Sequence, residues 1–537
     1  MLARVRSGSV VGVDAVVVEV EVDMSLGLPF FNVVGLPEGA VKESKVRVVS
    51  ALKNSGFELP QKRITVNLAP ADIRKEGATF ELPIALGVLV AAQQLPPEPL
   101  GEYLFGGELS LDGAVKPIRG VLPLAIAARD GGYRGVVVPV ANAAEAALVD
   151  RIEVIAVRDV VEAVRHLSGE EPLSPFDREA AVRTPAGDGV ALDMTDVRGQ
   201  GDMKSALELA AAGGHNLLMC GPPGSGKTML ARRLPSILPP LEFQEALELT
   251  KLYSVMGLVK EGEALVSDRP FRAPHHTISD AGLVGGGPLA RPGELSMAHR
   301  GVLFLDELPE FRKNVLEVLR QPLEEGLVRL ARANQHITYP CRVMLVAAMN
   351  PCPCGWFNVQ QRQCLCAPNR VNDYHARISG PLLDRIDITL ETRPVELRKL
   401  AQADGDERPS SYYRERVMAA RARQLVRFRN EPGVFCNAQM GPRLVRRYCL
   451  LGAAGQAMLE GAVQRYGLSA RAHDRILKLA LTRADLEEHE RITDDDVMSA
   501  ISCRVIDRKD WIRRGQAAAG VPYVDPRQQA LIHGGGR

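Results

Sequence analysis

The stretch "NLLMCGPPGSGKTMLARRL", Asn216 to Leu234, decides the fold class of this 537-residue chain. Its apolar opening reads as a buried strand, its Gly/Pro centre as a turn and its close as a helix. Across that turn Gly221, Pro222, Pro223, Gly224, Ser225, Gly226, Lys227 and Thr228 satisfy G-x-x-x-x-G-K-[ST] in full. Such a loop wraps backbone N–H groups around phosphates and adds the positive end of the following helix. The lysine reaches the β- and γ-phosphates, and the hydroxyl ligates Mg²⁺. The completeness of the motif in its strand–turn–helix setting sets aside a chance turn. A P-loop α/β fold that binds ATP and Mg²⁺ is therefore expected.

Working outward, "GVLFLDE" is an apolar strand ending in Asp306 and Glu307. Beside a P-loop, the Asp is expected to hold the Mg²⁺ shell and the Glu to orient the attacking water. Alone, the pair reads equally as a helix cap or a solvated turn. "VMLVAAMN" is the next apolar strand and ends on Asn350, placed to sense the γ-phosphate or the water, or else to serve the turn before Pro351. Arg385 in "SGPLLDRIDI" and Arg471 in "GLSARAHDRIL" are ordinary surface arginines unless an ATPase recruits them to transition-state charge.

Length predicts more than one domain. Residues 1–167 alternate short β-rich runs with helical stretches, an α/β domain of its own. The polar, aperiodic stretch 168–192 reads as a linker. Residues 193–400 alternate strands and helices as a helix-covered parallel sheet does, 401–510 carry only helical patterns, and 511–537 form a tail. "RITDDDV" supplies a Thr cap for the last helix. The N-terminus alternates like a strand, and no run of about 18 apolar residues occurs, so a cytoplasmic location without membrane contact is expected. A net charge of +1 gives no global sign of nucleic-acid binding, so any basic surface must be local.

"NPCPCGWFNVQQRQCLC", Asn350 to Cys366, concentrates four of the nine cysteines in two C-x-C pairs. In a reducing compartment this suggests metal more than disulfides. Cys352, Cys354, Cys364 and Cys366 can close an S₄ tetrahedron around a structural Zn²⁺ in a loop spanning 350–367. C-x-C is tighter than the usual spacing, and plain reduced thiols are the alternative. Cys220, Cys341, Cys436, Cys449 and Cys503 are isolated. His275 and His276 are adjacent in a loop and are expected to point apart, in a structural or DNA-facing role.

The order of motifs resembles AAA+ ATPases of the magnesium-chelatase-like branch. The YifB/ComM pattern is found in "FRAPHHTISDAGLVGGG", "PGELSMAHRGVLFLDELPEF", "LRQPLEEG", "VAAMNPCPCG", "SGPLLDRIDI" and "GLSARAHDRIL". The resemblance runs from the N-terminus to about residue 508. It implies an ATP-driven homo-hexamer with Asn350 as sensor 1, Arg385 as the finger reaching a neighbour's ATP, and Arg471 as sensor 2 from a helical lid. It also implies a DNA helicase that promotes branch migration on single-stranded or branched DNA during natural transformation. The pre-sensor hairpin of that branch matches "GLVRLARANQHITYP", with Arg329 and Arg332 on one arm and His336 on the other. A second insertion, "GGGPLARPGELS", carries Arg291. Basic side chains on pore loops suit phosphate contact, and surface ion pairs are the alternative. The arginines of 414–429 are a further candidate or a solvated face.

Residues 1–167 resemble the proteolytic domain of Lon protease. The nucleophile position is Thr79 and the catalytic-lysine position is Leu122. Leucine cannot take the hydroxyl proton, and Lys116 is only a remote substitute, so a scaffold without protease activity is expected. Two other functions stay open: the ATPase subunit of a magnesium chelatase, and an ATP-dependent protein remodeller or assembly scaffold.

Overall fold

The computed structural model describes residues 2–37, 39–75, 77–182, 192–260, 263–287, 290–332, 335–357, 359, 362–392, 407–466 and 468–504. They form two compact units that interleave along the chain. One contains Met1–Gly187, Leu241–Asp268 and Arg329–Tyr339; the other contains Asp188–Pro240, Arg269–Val328 and Pro340–Arg537.

In the first unit, β1 (Leu2–Val11) and β2 (Asp14–Ser25) pair antiparallel from Leu2↔Asp23 to Val11↔Asp14. Alternation explains the pairing, since Val18, Val20 and Val22 are buried between the outward-facing Glu19 and Glu21. β3 (Phe30–Val34), β4 (Arg63–Ala69) and β5 (Tyr103–Phe105) follow. Next come a small antiparallel pair, β6 (Glu108–Leu109) with β7 (Val115–Lys116), and then β8 (Gly135–Pro139) and β9 (Glu153–Val157). The seven-stranded sheet runs β3-β4-β2-β1-β5-β8-β9. Helix Glu81–Ala91, buried along its whole length, lies against β1 and β2. Its Glu81 tolerates burial because Arg47 Nε donates to it at 2.7 Å and the Leu109 N–H at 2.8 Å. Thr79 is half-buried, and Leu122 lies in the core with its N–H donated to Glu145. Of the stretch 168–192, Phe176 donates its N–H to the Val154 carbonyl, and Arg178–Val182 is a short helix. Helix Phe243–Met256 belongs to this unit and packs against helix Val121–Asp130.

The second unit is built on a parallel sheet. Its strands are β10 (Leu217–Cys220), β11 (Phe271–Arg272), β14 (Val302–Leu305), β17 (Met344–Met349) and β18 (Ile388–Glu391), in the order β11-β14-β17-β10-β18. A two-residue pair, β12 (Gly285–Gly286) with β13 (Arg291–Pro292), stands apart. The hairpin β15 (Leu327–Arg332) with β16 (Gln335–Pro340) is a separate pair, and its Arg329–Tyr339 portion belongs to the first unit. The central strands are apolar without alternation because helices cover both faces. Parallel register aligns Cys220 with Met349 and Leu305 with Ala347, so Gly221, Asp306 and Asn350 leave the sheet at one edge. Helices Ser410–Arg427, Ala453–Tyr466, Ala470–Leu486 and Asp494–Ser502 share one hydrophobic core with this sheet through Val417, Leu459, Ile476 and Val497. Thr493 caps the last helix in a capping box with Asp496, a contact that contributes about 1 kcal/mol.

Candidate nucleotide-binding site

The loop after β10 turns through Gly226, whose φ of 82° is a conformation that a Cβ disfavours. Lys227 opens helix Lys227–Ala231, and its ammonium is buried. Nζ donates to the Gly221 and Pro222 carbonyls at 2.7 and 2.9 Å and to Asn350 Oδ1 at 3.3 Å. Burial pulls its pKa below the ordinary lysine value. A phosphate oxygen is a stronger partner for this buried charge than neutral carbonyls are. Thr228 Oγ1 donates to Asp306 Oδ2 at 2.6 Å. A hydroxyl and a carboxylate at adjacent strand tips are the hard oxygen donors that Mg²⁺ takes alongside phosphate.

Glu307 has a left-handed backbone, φ 51° and ψ 45°. The conformation is locked by its N–H donating to Asp306 Oδ1 at 2.9 Å and its carbonyl accepting from the Glu310 N–H at 2.7 Å. A non-glycine residue held there costs about 1–2 kcal/mol, and such strain is characteristic of functional sites. The Glu307 carboxylate is half exposed and lies 3.2 Å from His276 Nδ1.

The structure thus brings together Lys227, Thr228, Asp306, Glu307 and Asn350. It groups Arg385 and Arg471 elsewhere. Arg385 donates through Nη1 to the Pro381 carbonyl at 2.8 Å and through Nη2 to Glu324, and Arg471 Nη2 lies 3.6 Å from the same Glu324. Sequence reasoning missed Glu324, which sits in the quoted motif "LRQPLEEG" with nothing local to mark it as a shared acceptor.

The four clustered thiols converge, each Sγ within 4.8 Å of every other. Cys352 and Cys354 are 3.3 Å apart, Cys352 and Cys364 3.7 Å, and Cys354 and Cys364 3.6 Å. A tetrahedral Zn²⁺ with Zn–S of about 2.3 Å requires sulfur separations of roughly 3.8 Å, so the donors fit that ion with little movement. Burial opposes ionisation of Cys354, yet the backbone N–H groups of Leu365 and Trp356 and neighbouring thiols outweigh it and bring the pKa to about 6. Burial pushes Cys364 up to about 12. The cluster also abuts the phosphate loop. At Gly355, φ 83°, a Cβ would lie 2.6 Å from Pro223 Cδ.

Two expectations are corrected. His275 and His276 do not point apart; their ring centroids lie 4.1 Å apart with the planes tilted by 33°, and His276 turns toward Glu307. The arginine-rich helix is not chiefly a solvated or DNA-facing surface. Arg416 Nε meets Glu208 at 2.6 Å, Arg421 Nη2 donates to the Ala211 carbonyl at 2.9 Å, Arg423 pairs with Glu488 at 3.2 Å, and Arg427 Nη1 donates to Asp485 at 2.8 Å. Arg414 and Arg429 are exposed. Packing decides this, because the helix lies against helices Gly201–Gly213 and Ala470–Leu486, whose carboxylates need cations.

The expected hairpin is present. Arg329 and His336 are exposed on it, Ile337 and Tyr339 are buried, and the Arg332 side chain lies outside the described residues. Arg291 is exposed on β13.

Comparison with known proteins gives the family. A family described as "Magnesium chelatase, subunit ChlI" matches residues 193–400, "Subunit ChlI of Mg-chelatase" matches 20–142, and the ChlI C-terminal family matches 407–504. The YifB protein of Salmonella typhimurium is 42% identical over 509 residues, covering 94% of this chain and 98% of its own. The competence protein ComM of Haemophilus influenzae is 43% identical over 513 residues, with the same coverage. The chain belongs to the YifB/ComM family. Its fold is that of an AAA+ P-loop module with a helical lid, preceded by a Lon-like α/β region. In keeping with the latter, Lon protease 2 of Bacillus subtilis is 32% identical over 142 residues, 26% of this chain. This YifB/ComM member carries a magnesium-chelatase-type ATPase module. Among the described residues, no helix is long and apolar enough to cross a membrane.

Proposed function

We propose that this YifB/ComM member is a cytoplasmic, ATP-driven homo-hexameric DNA motor, a helicase that moves branched or single-stranded DNA during recombination of incoming DNA. The observation that carries the ATPase part is the convergence of Lys227 and Asn350 at 3.3 Å and of Thr228 and Asp306 at 2.6 Å at one sheet edge. In this reading Lys227 holds the β- and γ-phosphates, and Thr228 and Asp306 hold Mg²⁺. Glu307 polarises the attacking water, and Asn350 reports the γ-phosphate. Arg385 serves as finger and Arg471 as sensor 2. Their common attachment to Glu324 supports their acting as a pair, released together when phosphate charge competes for them. Zn²⁺ supplies structural cross-linking of the loop through the four cysteines. Residues 1–167 act as a non-proteolytic scaffold, 193–400 as the motor and 401–510 as the lid.

The DNA part is supported by the likeness to ComM, whose name records competence, and by the exposure of Arg291, Arg329 and His336 on insertions. Arg332 is included on sequence alone. The matches to magnesium-chelatase families favour a second reading, an ATPase subunit for metal insertion. ATP hydrolysis measured with and without single-stranded and four-way-junction DNA separates them. The motor reading expects DNA to stimulate turnover, with a stimulation that weakens as salt rises. Turnover indifferent to every DNA structure refutes it.

A further inference from the structure

Residues 241–268 and 329–339 lie within the ATPase stretch of the sequence yet fold with the first unit, and both reach one turn of it. That turn joins β1 to β2 through Gly12 and Val13, with Val11 paired to Asp14. Gly12 has a φ of 69°, the left-handed backbone that a two-residue hairpin turn calls for. Asp14 pairs with Lys251 of helix Phe243–Met256. Because Asp14 is exposed, this pair contributes little, and apolar packing anchors the segment instead. Ala264 is fully buried with Leu122, Leu124 and Ala125, and Leu247 and Leu265 pack on the same cluster. The second visitor is the β15–β16 hairpin. A Cβ at Gly12 would lie 2.9 Å from Ile337 Cγ2 and 3.8 Å from the Thr338 carbonyl oxygen, so β16 packs directly over the turn. Alternation does the rest: Ile337 and Tyr339 are buried, whereas His336 and Thr338 are exposed, so one face of this arm is seated and the other presented.

We propose that the β1–β2 turn is the seat of this hairpin, and that the Lon-like region serves the motor by fixing the direction in which Arg329 and His336 meet the phosphates of DNA, an inference that rests on the reading of those residues as DNA contacts. A two-stranded hairpin is marginal by itself in water, so its direction comes from what it packs against. Glycine at position 12 supplies both requirements of the seat, a left-handed turn and room for Ile337. Held there, the exposed cations can meet phosphates together. Released, they sample many directions, and fewer counterions are displaced per complex. Gly12 and Ile337 are thus positioning residues for DNA, acting through the hairpin and without touching the nucleic acid.

The test uses the full-length chain and the variants Gly12→Ala, Ile337→Ala, their combination, and Arg329→Ala. Amide hydrogen exchange across 329–339, ATP hydrolysis without DNA, and binding of a single-stranded oligonucleotide at several salt concentrations are measured on each. Gly12→Ala pushes the arm off its seat, and Ile337→Ala removes the packing while leaving the turn intact, which covers the case in which the first variant unfolds. Each is expected to speed exchange in the hairpin about tenfold or more and to weaken oligonucleotide binding about three- to tenfold, with a shallower salt dependence. Hydrolysis without DNA should stay within about twofold of the parent. In the combined variant the new methyl takes the space of Ile337 Cγ2, so its effect should fall short of the two single effects together. Unchanged hairpin exchange in both single variants overturns the seat. Faster exchange with unaltered oligonucleotide binding, while Arg329→Ala weakens that binding, overturns the positioning role and leaves the DNA reading intact. Loss of hydrolysis without DNA in step with loss of binding in Ile337→Ala also overturns it, because it marks general support of the fold. Unaltered binding in Arg329→Ala overturns the DNA reading of the hairpin and this inference with it.

Discussion

Substituting Gly355 by alanine tests whether the cysteine loop buttresses the phosphate loop. The new Cβ would stand 2.6 Å from Pro223 Cδ and 2.8 Å from Cγ. Carbon atoms in contact keep about 3.5–4.0 Å, so roughly 1 Å must be taken up. The proline ring is rigid and cannot rotate aside, which leaves backbone movement in one loop or the other. A left-handed backbone, φ 83° here, adds about 1–2 kcal/mol of strain for an L-residue. With the cysteines bound to zinc, the cysteine loop is the stiffer partner, so the displacement falls on Pro223 and its neighbouring N–H groups. If about 1.4 kcal/mol of the cost reaches the phosphate-bound state, ATP binding weakens about tenfold. Titration of a fluorescent ATP analogue, with metal content measured on the same samples, reads both sides. The expected result is weaker ATP binding at one zinc per chain. Unaltered affinity at full zinc content refutes the buttress; loss of zinc with unaltered affinity shows that the cysteine loop yields instead.

Lys227→Ala is expected to lose ATP binding, whereas Glu307→Gln should bind ATP yet hydrolyse it at least about a hundredfold more slowly, because in the proposed roles the first meets ground-state phosphates and the second the water. Filter binding and phosphate release distinguish them, and equal behaviour contradicts the roles. Mixing inactive Arg385→Ala with inactive Lys227→Ala should restore some ATPase activity if the finger acts across subunits, since an intact site then meets an intact finger; no recovery in a mixed oligomer counts against it. The buried imidazole of His215 lies between Thr482 at 2.9 Å and Asp387 at 3.4 Å. Burial lowers its pKa below 6.5, outweighing the opposing pull of Asp387. The unfolded chain then binds this proton more readily, so stability present above about pH 6.5 is lost as pH falls, by up to about 1.4 kcal/mol per pH unit. Urea unfolding midpoints between about pH 7.5 and 5 should show the slope, and His215→Gln should flatten it; an identical slope in the variant removes the assignment.

The phosphate loop, the Asp306–Glu307 pair, Asn350 and the cysteine cluster were legible in the sequence because each is local. Their chemistry depends on residues a few positions apart, and their strands are apolar runs that periodicity exposes. The helical lid was legible for the same reason, down to the Thr493 cap. Tertiary structure alone decided which distant groups meet. Parallel register carries the loop after β11 to the same edge as Glu307, giving His276 a partner that its neighbours in sequence do not suggest. Packing brings Arg385 and Arg471, expected at different stations, onto one carboxylate of Glu324. It also sets Gly355 against Pro223, and it turns the arginine-rich helix inward to satisfy Glu208 and Asp485. The chain segments 241–268 and 329–339 read as parts of the ATPase module, yet they fold with the N-terminal unit. Hydrophobic periodicity specifies which face of an element is buried, but the partner it is buried against follows from strand order and from which buried charges can be neutralised.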